Sequence, residues 1–439
     1  MPISRRKLAA YVAPCLPIAA VGLPVVVYLP PYYAGTLGLD LAMVGFLFFI
    51  VRVVDVPLDP IIGHFIDRSE TRWGRFRPWL AAGALVMTAG VFAVFMASPG
   101  ITAARAFAGL LLMYVGYSAA LVSHTSWGAV LSNDYHERSR IFGAWQAINI
   151  LGLFLILAVP PLALWVMATE DGAVGVRAMG WTIIAALPVA IAIAVFNVPE
   201  PPATSGEHHR MRDIIGIARL PLVRRLLLAD LLSSLAPGLT GALFLFFFEA
   251  ARGFPPAEAS TLLLFYFAAG LLAAPLWVRA ARRWSKHRAL IVALIAYCLF
   301  QSLIFVMPPG DFWIAAASMV LAGAPAVAPA FLLRAMMADL SDAETLRSGR
   351  QRTGLFYAAL VAVQKLGYAI PVGLSYSILG VIGFVPALAE RNSPEAISGL
   401  QLLFVVPPVV LALLAVLVVR GWPIDAEAQA RNATALAGV

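Results

Sequence analysis

The sequence predicts an all-α membrane protein whose transmembrane helices form two bundles of six. Three observations predict this fold class: an apolar composition, a series of long apolar runs, and one long polar interruption near the middle of the chain. Of the 439 residues, 61% are hydrophobic and 12% are charged, and the mean hydropathy is +0.87. Soluble domains carry about 25% charged residues, so these values exclude a water-soluble fold of this size.

Twelve apolar runs each supply roughly the 20 residues that a membrane-spanning helix needs. They cover residues 8–31, 42–65, 78–97, 104–130, 141–168, 178–198, 222–248, 257–278, 289–308, 312–336, 354–381 and 399–419. The first run follows Arg5, Arg6 and Lys7, as the apolar region of a signal peptide does. It is too long for such a region and lacks a small-residue cleavage site, so we interpret it as the first membrane helix.

The longest polar interruption extends from Pro199 to Arg219 and separates six apolar runs from six. It predicts an N-terminal bundle over residues 1–198, a cytoplasmic linker over 199–220, a C-terminal bundle over 221–419 and a cytoplasmic tail over 420–439. Of the 31 lysines and arginines, 25 fall on the side that carries both termini and four on the other. This bias places both termini in the cytoplasm of a multi-pass protein of the bacterial inner membrane.

Charged residues within the second apolar run are candidates for function, because a charge at mid-membrane costs at least about 2.5–3.5 kcal/mol. Asp55 and Asp59 are four residues apart and share one helix face with Arg52. Two such carboxylates can hold a monovalent cation together, or one of them can carry a proton. The alternative is a structural ion-pair cluster of these aspartates with Arg52 and Lys365.

Other polar residues of the apolar runs are candidates for substrate contact. The set comprises Tyr117, His124, Thr125, Gln146, Gln364 and Lys365. His124 fits equally well a histidine that bonds neighbouring helices. Asp230, near the start of the seventh run, is expected to reach towards the cytoplasm, with a role inside a cavity as the alternative.

Three segments together resemble a known family of carriers. Residues 52–78 read RVVDVPLDPIIGHFIDRSETRWGRFRP, residues 133–140 read NDYHERSR, and residues 338–367 read ADLSDAETLRSGRQRTGLFYAALVAVQKLG. They resemble the glycoside–pentoside–hexuronide:cation symporters, the melibiose-carrier branch of the major facilitator superfamily. The resemblance implies twelve helices in two halves, and cation-coupled symport of a small organic solute by alternating access.

The resemblance also implies a cation site. The family uses two aspartates, matched by Asp55 and Asp59, and a hydroxyl residue that maps to Ser118. It also uses an asparagine, where this chain has Leu58. Losing an amide oxygen weakens a Na⁺ site more than it weakens proton coupling, so the sequence favours H⁺ and leaves Na⁺ open. Lys365 matches the family's lysine, and we expect it to pair with one of the two aspartates.

Two further expectations come from the resemblance. Arg138 and Asp339 lie in segments that meet in the family as a cytoplasmic gate, and we expect them to pair when the carrier faces outward. The sugar-carrying members have recognition carboxylates on two helices, at positions that map to Ala19 and Leu121. A buried hydroxyl left unpaired costs about 1–3 kcal/mol, so we expect a substrate other than a simple galactoside.

The sequence indicates no enzyme, since it contains no GxxxxGK[ST], HExxH or GxSxG motif. Cys15 and Cys298 have no metal-binding or disulfide spacing, so the only cofactor expected is the coupling cation. The net charge of +8 resides in short loops between apolar runs, which favours lipid contact over nucleic acid. We expect a monomer with a small-molecule substrate. The alternatives are a carrier of lysolipid-like or fatty-acid-like amphiphiles and a non-transporting membrane sensor.

Overall fold

The computed structural model describes residues 3–69, 71–132, 135–200, 220–348, 353–425, 427–429 and 431. Side chains are described for all of these except residues 67, 135, 136, 138, 139, 353 and 354. Within this part of the chain, twelve helices are long and apolar enough to cross a membrane, and each coincides with one predicted run. The predicted fold class is therefore confirmed, with helix ends that differ from the prediction by a few residues in most cases.

The chain divides into two compact units, which are described separately. The first comprises residues 1–208 with 255–260 and 385–387. Its helices are α1 (Arg5–Val12), α2 (Cys15–Val27), α3 (Leu29–Pro31), a π-helical turn (Tyr32–Thr36), α4 (Leu41–Asp67), α5 (Arg77–Phe95), α6 (Ala103–Val130), α7 (Tyr135–Val166) and α8 (Gly172–Asn197). Side chains of Asp40, Thr102 and Asp171 accept bonds from the first backbone N–H groups of α4, α6 and α8. These caps satisfy donors that helix geometry leaves free.

The second unit comprises residues 209–254, 261–384 and 388–439. The helices of this half are α9 (Pro221–Phe246), a π-helical turn (Phe247–Ala251), α10 (Pro256–Trp284), α11 (Lys286–Leu303), a 3₁₀ turn (Ile304–Val306), α12 (Phe312–Ala326), α13 (Ala328–Ser348), α14 (Thr353–Ile382), a 3₁₀ turn (Pro386–Arg391) and α15 (Pro394–Val419). Its core contains apolar side chains from α9, α11, α13, α14 and α15, such as Leu226, Leu290, Met337 and Phe356.

Helices α5 and α6 pack so closely that their backbones are in contact. A Cβ atom at Gly116 would lie 2.2 Å from the Met87 backbone nitrogen, and one at Gly90 would lie 2.4 Å from Met113. Membrane helices use glycine in this way, since close packing replaces the hydrophobic effect as the force that joins them. The contact fixes α6, which in turn positions the residues that face α4.

Helices α9 and α14 approach closely in the second unit. A Cβ atom at Gly367 would lie 2.5 Å from the Cβ of Ser234, and one at Gly238 would lie 2.8 Å from the carbonyl oxygen of Gly367. This packing brings residues 364–368 of α14, which include Gln364, Lys365 and Tyr368, level with residues 230–234 of α9.

Candidate functional site

Asp55 lies fully buried between α4 and α6, with both carboxylate oxygens bonded. Ser118 donates its hydroxyl to Oδ1 at 2.9 Å, and Nη1 of Arg52 donates to Oδ2 at 3.3 Å. Ser118 and Asp55 are each 0% exposed. The structure thus joins three residues that the sequence analysis selected. A buried carboxylate requires such donors, since an unpaired buried charge is strongly destabilising.

Two tyrosines of α6 complete the surroundings of this carboxylate. The guanidinium of Arg52 lies over the ring of Tyr114, 4.5 Å from its centroid, which is a favourable cation–π geometry. Tyr117 lies within range of the charges of Arg52, Asp55 and Asp59. Tyr117 was a predicted candidate, whereas Tyr114 was missed because nothing in its spacing separates it from ordinary core aromatics.

Asp59 lies one helical turn beyond Asp55, half-buried, on an unbroken α4. Pro57 and Pro60 are both accommodated within this helix. Each proline lacks the N–H that would bond the carbonyl four residues earlier, so the carbonyls of Val53 and Val56 lose their usual helical donors. Asp55 and Asp59 share one face of α4, and two carboxylates on one face suit a small cation or a proton.

His124 bonds neighbouring helices, as the alternative interpretation expected, and its candidacy for substrate contact stays a prediction. It is 0% exposed, and its Nε2 lies 2.7 Å from the carbonyl oxygen of Tyr11. Trp145 donates its indole N–H to Nδ1 at 3.3 Å, and the Tyr11 ring stacks on the imidazole at 4.6 Å. Since Nδ1 accepts a bond and Nε2 donates one, both nitrogens are engaged with protein groups in a neutral ring.

Two other candidates of the first unit have weaker support. Thr125 donates its hydroxyl to the carbonyl of Leu121 at 2.8 Å, within its own helix. Gln146 is exposed on α7. The hydroxyl of Thr125 therefore bonds within its own helix, whereas the exposed side chain of Gln146 remains a candidate for substrate contact.

In the second unit, Gln364 accepts a bond from Nη2 of Arg334 at 3.0 Å. The backbone carbonyl of Arg334 accepts the hydroxyl of Tyr357 at 3.2 Å. Lys365 follows Gln364 on α14 and is half-buried. Arg334 lies within α13, at the end of the predicted run 312–336. The predicted pairing of Lys365 with Asp55 or Asp59 stays a prediction.

Asp339 is engaged within its own unit. Nζ of Lys286, the first residue of α11, lies 2.6 Å from both carboxylate oxygens, and Asp339 is buried. The side chain of Arg138 lies outside the described residues. The predicted Arg138–Asp339 gate therefore stays a prediction, with Lys286 as a partner that sequence analysis did not identify.

Glu200, just beyond α8, is a second residue that sequence analysis missed. Its carboxylate accepts the backbone N–H groups of Arg75, Phe76 and Arg77 at the start of α5. Gly74 has φ +107°, and a Cβ there would overlap the Glu200 carboxylate. The glycine of the RWGRF segment is thus required by backbone conformation and by the space that the glutamate occupies. An anion at a helix N-terminus is electrostatically favourable.

Asp230 is buried, which corrects the expectation that it reaches towards the cytoplasm. The residue is 4% exposed, and Oδ2 has no hydrogen-bond partner among the described residues. A group of three or more His, Cys, Asp or Glu side chains able to hold a metal ion is likewise absent from the described part of the chain.

Comparison with known protein families identifies the family of this chain. Residues 10–426 match the family described as MFS/sugar transport protein. The chain belongs to this family. It is therefore a multi-pass membrane transporter and not an enzyme, as the sequence analysis expected.

Similar proteins extend the family assignment. The inner membrane symporter YicJ of Escherichia coli is 24% identical over 417 residues, covering 90% of this chain and 86% of YicJ. A lactose permease of Lactobacillus helveticus is 34% identical over 157 residues, covering 34% of this chain and 24% of the permease. Among solved structures, a point mutant of the nucleoside transporter NupG matches with a TM-score of 0.74 at 13% identity. The match covers 94% of this chain and all of that one, and it shows the fold alone.

Proposed function

We propose that this symporter couples the uptake of a small organic solute to protons through Asp55 and Asp59, in the bacterial inner membrane with both termini cytoplasmic. That the chain is a cation-coupled symporter follows from its family. The ion, the solute and the residues that couple them are the proposal. The observation that carries it is the buried carboxylate of Asp55, held between α4 and α6 by Ser118 and Arg52.

The surroundings of Asp55 favour a proton over Na⁺. A sodium ion needs several oxygen ligands, whereas Oδ1 already receives a hydroxyl and Oδ2 a guanidinium. Leu58 supplies no oxygen ligand at the position where the family has an amide. A proton needs only one basic oxygen, and half-buried Asp59 offers one on the same helix face.

The composition of α2 argues against a simple galactoside as the solute. From Cys15 to Val27 its side chains are all apolar. Ala19 and Leu121 stand where sugar-carrying members of the family have carboxylates, so sugar hydroxyls would lack their main acceptors. The cationic groups Arg334 and Lys365 of the second unit favour a solute with an anionic group. The partial match to a lactose permease makes galactosides the first competitor to exclude.

Transport by purified protein in proteoliposomes tests the coupling. Candidate solutes are first identified by thermal shift against sugars, fatty acids and lysolipids, each with and without Na⁺. We expect an inward proton gradient to drive accumulation by the wild type, and Asp55→Asn, Asp59→Asn to abolish it while counterflow persists. Normal concentrative uptake by the double variant would sink the proposal. Stabilisation by Na⁺ alone would overturn the choice of ion, and saturable galactoside uptake would overturn the solute class.

A further inference from the structure

The second unit contains a buried acid that the coupling site does not use. Asp230 on α9 is 4% exposed, and Oδ2 has no hydrogen-bond partner among the described residues. Ser233 lies on the same face three residues on, 5% exposed, and its hydroxyl likewise has no partner in the described part of the chain. Two adjacent buried polar groups left without partners indicate a missing ligand, since native proteins rarely leave such groups unpaired.

The surroundings of this acid contain one positive charge that does not neutralise it. Arg334 on α13 and Tyr368 on α14 both lie within electrostatic range of Asp230. Arg334, however, donates to the neutral amide of Gln364 at 3.0 Å and makes no ion pair with Asp230. A charged carboxylate within reach would compete strongly for that guanidinium, because charge-assisted bonds are about twice as strong as neutral ones.

A small cavity lies next to Ser233. Pro237 interrupts the bonding of α9, so the carbonyl of Ser233 loses its usual helical donor. A cavity of about 10 Å³ lies beside Ser233, Pro237 and Tyr297. A space of roughly this size admits one water molecule where polar partners are present. The hydroxyl of Tyr297 lies 3.1 Å from that of Thr240, so the cavity has a polar wall.

We propose that Asp230 is an exchangeable proton site in the C-terminal unit, separate from Asp55 and Asp59. A protonated Asp230 leaves Arg334 bonded to Gln364, the arrangement that the structure shows. Loss of the proton draws Arg334 towards α9 and releases Gln364, a residue of the proposed solute contacts. The inference goes beyond the coupling function and does not depend on it, because proton binding can be measured without any solute.

The charges that bear on this proton come from each helix packed against α9. Arg334 is the nearest cation from α13, where Asp339 is held by Lys286. Helix α14 contributes Tyr368 and Lys365. On α9 itself, Arg224 and Arg225 lie at least one turn nearer its N-terminus. Helix α15 has charge only at Glu395, near its start, and Glu249 lies in the π-helical turn at the far end of α9.

Infrared spectroscopy of purified protein in lipid films tests the site directly. Protonated carboxyl groups absorb apart from carboxylates, so a pH titration counts them. The Asp55→Asn, Asp59→Asn double variant provides the background, since it removes the coupling acids. We expect Asp230→Asn in that background to remove one titrating carboxyl. The control variant Asp40→Asn should leave the number of buried carboxyl groups unchanged. Asp40 is an exposed helix cap, and asparagine serves equally well there.

A second variant keeps the experiment decisive if Asp230→Asn fails to fold. Arg334→Gln retains the acid and removes the guanidinium, so we expect the carboxyl count to stay as in the background variant while the midpoint of the Asp230 band changes. Two results would overturn the proposal: an unchanged carboxyl count in a folded Asp230→Asn protein, or an unchanged midpoint in Arg334→Gln. Failure of the Asp55 and Asp59 variants in transport leaves both readouts intact, so the two proposals can fail separately.

Discussion

At the scale of single residues, Ser118 has the most specific role that the geometry suggests. Its hydroxyl lies 2.9 Å from Asp55 Oδ1 in a fully buried setting. Asp55 cannot obtain a replacement donor from water there. The bond therefore contributes both to folding and to the position of the acid.

We expect Ser118→Ala to lower the free energy of unfolding by about 1–3 kcal/mol, because it leaves a buried carboxylate oxygen without its donor. Proton-driven uptake should fall as well, since Ser118 holds the carboxylate of Asp55 in place. Ser123→Ala is the matched control. That buried hydroxyl, on the same helix, bonds only backbone carbonyls of its own helix. A loss of uptake that is equal in both variants would remove Ser118 from the site.

Gly74 offers a test of the Glu200 contact. We expect Gly74→Ala to lower the thermal unfolding temperature more than Gly100→Ala does. Both glycines have positive φ, at +107° and +87°, so alanine costs about 1–2 kcal/mol of backbone strain at each. Only at Gly74 does the added Cβ also displace a side chain, since Gly100 has open space around it. Equal shifts in thermal unfolding would show that Glu200 contributes nothing to the start of α5.

Sequence reasoning reached some of these residues and missed others for identifiable reasons. Asp55 and Asp59 were recognisable because charge within an apolar run is rare, and Ser118 followed from the family resemblance. Glu200 and Lys286 were not recognisable, because their partners lie about 125 and 53 residues away and one partner set is backbone N–H groups. The sequence left the role of His124 open between substrate contact and helix packing. The hydrogen bonds of its two ring nitrogens depend on Tyr11 and Trp145, which only folding brings together.

At the scale of helices, the approach of α5 to α6 determines where Asp55 finds its donor, Ser118. The twelve spans were predictable from hydropathy, since lipid exposure imposes long apolar runs. The closeness of two particular helices was not predictable, because glycines occur throughout the chain. Gly116, two residues before Ser118, is one of the residues that allow this approach.

We expect Gly116→Ala to separate α5 from α6 and to weaken coupling together with stability. The added methyl would lie 2.2 Å from the Met87 backbone nitrogen, and backbone atoms cannot yield as a flexible side chain can. The loss should exceed the 1–3 kcal/mol that is roughly usual for overpacking. Gly143→Ala on α7 has open space, so its stability should rise by about 0.5–1 kcal/mol from the better helix propensity. Thermal unfolding and proton-driven uptake measure both effects, and a Gly116→Ala protein as stable as the wild type would contradict the expectation.

At the scale of the whole molecule, the cycle of a symporter requires each state to close one end of its pathway. We expect Arg138→Ala to raise the inward-open population, because a contact made in only one state shifts the balance by its differential energy. If the Arg138–Asp339 pair contributes about 1 kcal/mol, the shift is roughly fivefold. Cysteine accessibility from the cytoplasmic side measures it. Lys286→Ala is a useful second variant, because it removes the present partner of Asp339 and leaves Arg138 in place. No increase in accessibility for Arg138→Ala would count against the gate.

Orientation in the membrane is the remaining property of the whole molecule that charge should decide. With 25 of 31 basic residues on the side of the termini, inverting the protein would carry most of them across the bilayer. We expect green fluorescent protein fused after Val439 to be fluorescent in bacterial cells, and alkaline phosphatase fused there to be inactive. A phosphatase inserted between α7 and α8, in the turn at residues 167–171, should be active, because an odd number of spans precedes it. Active phosphatase at the C-terminus would reverse the orientation, and the assignment of the Lys286–Asp339 pair to the cytoplasmic side would reverse with it.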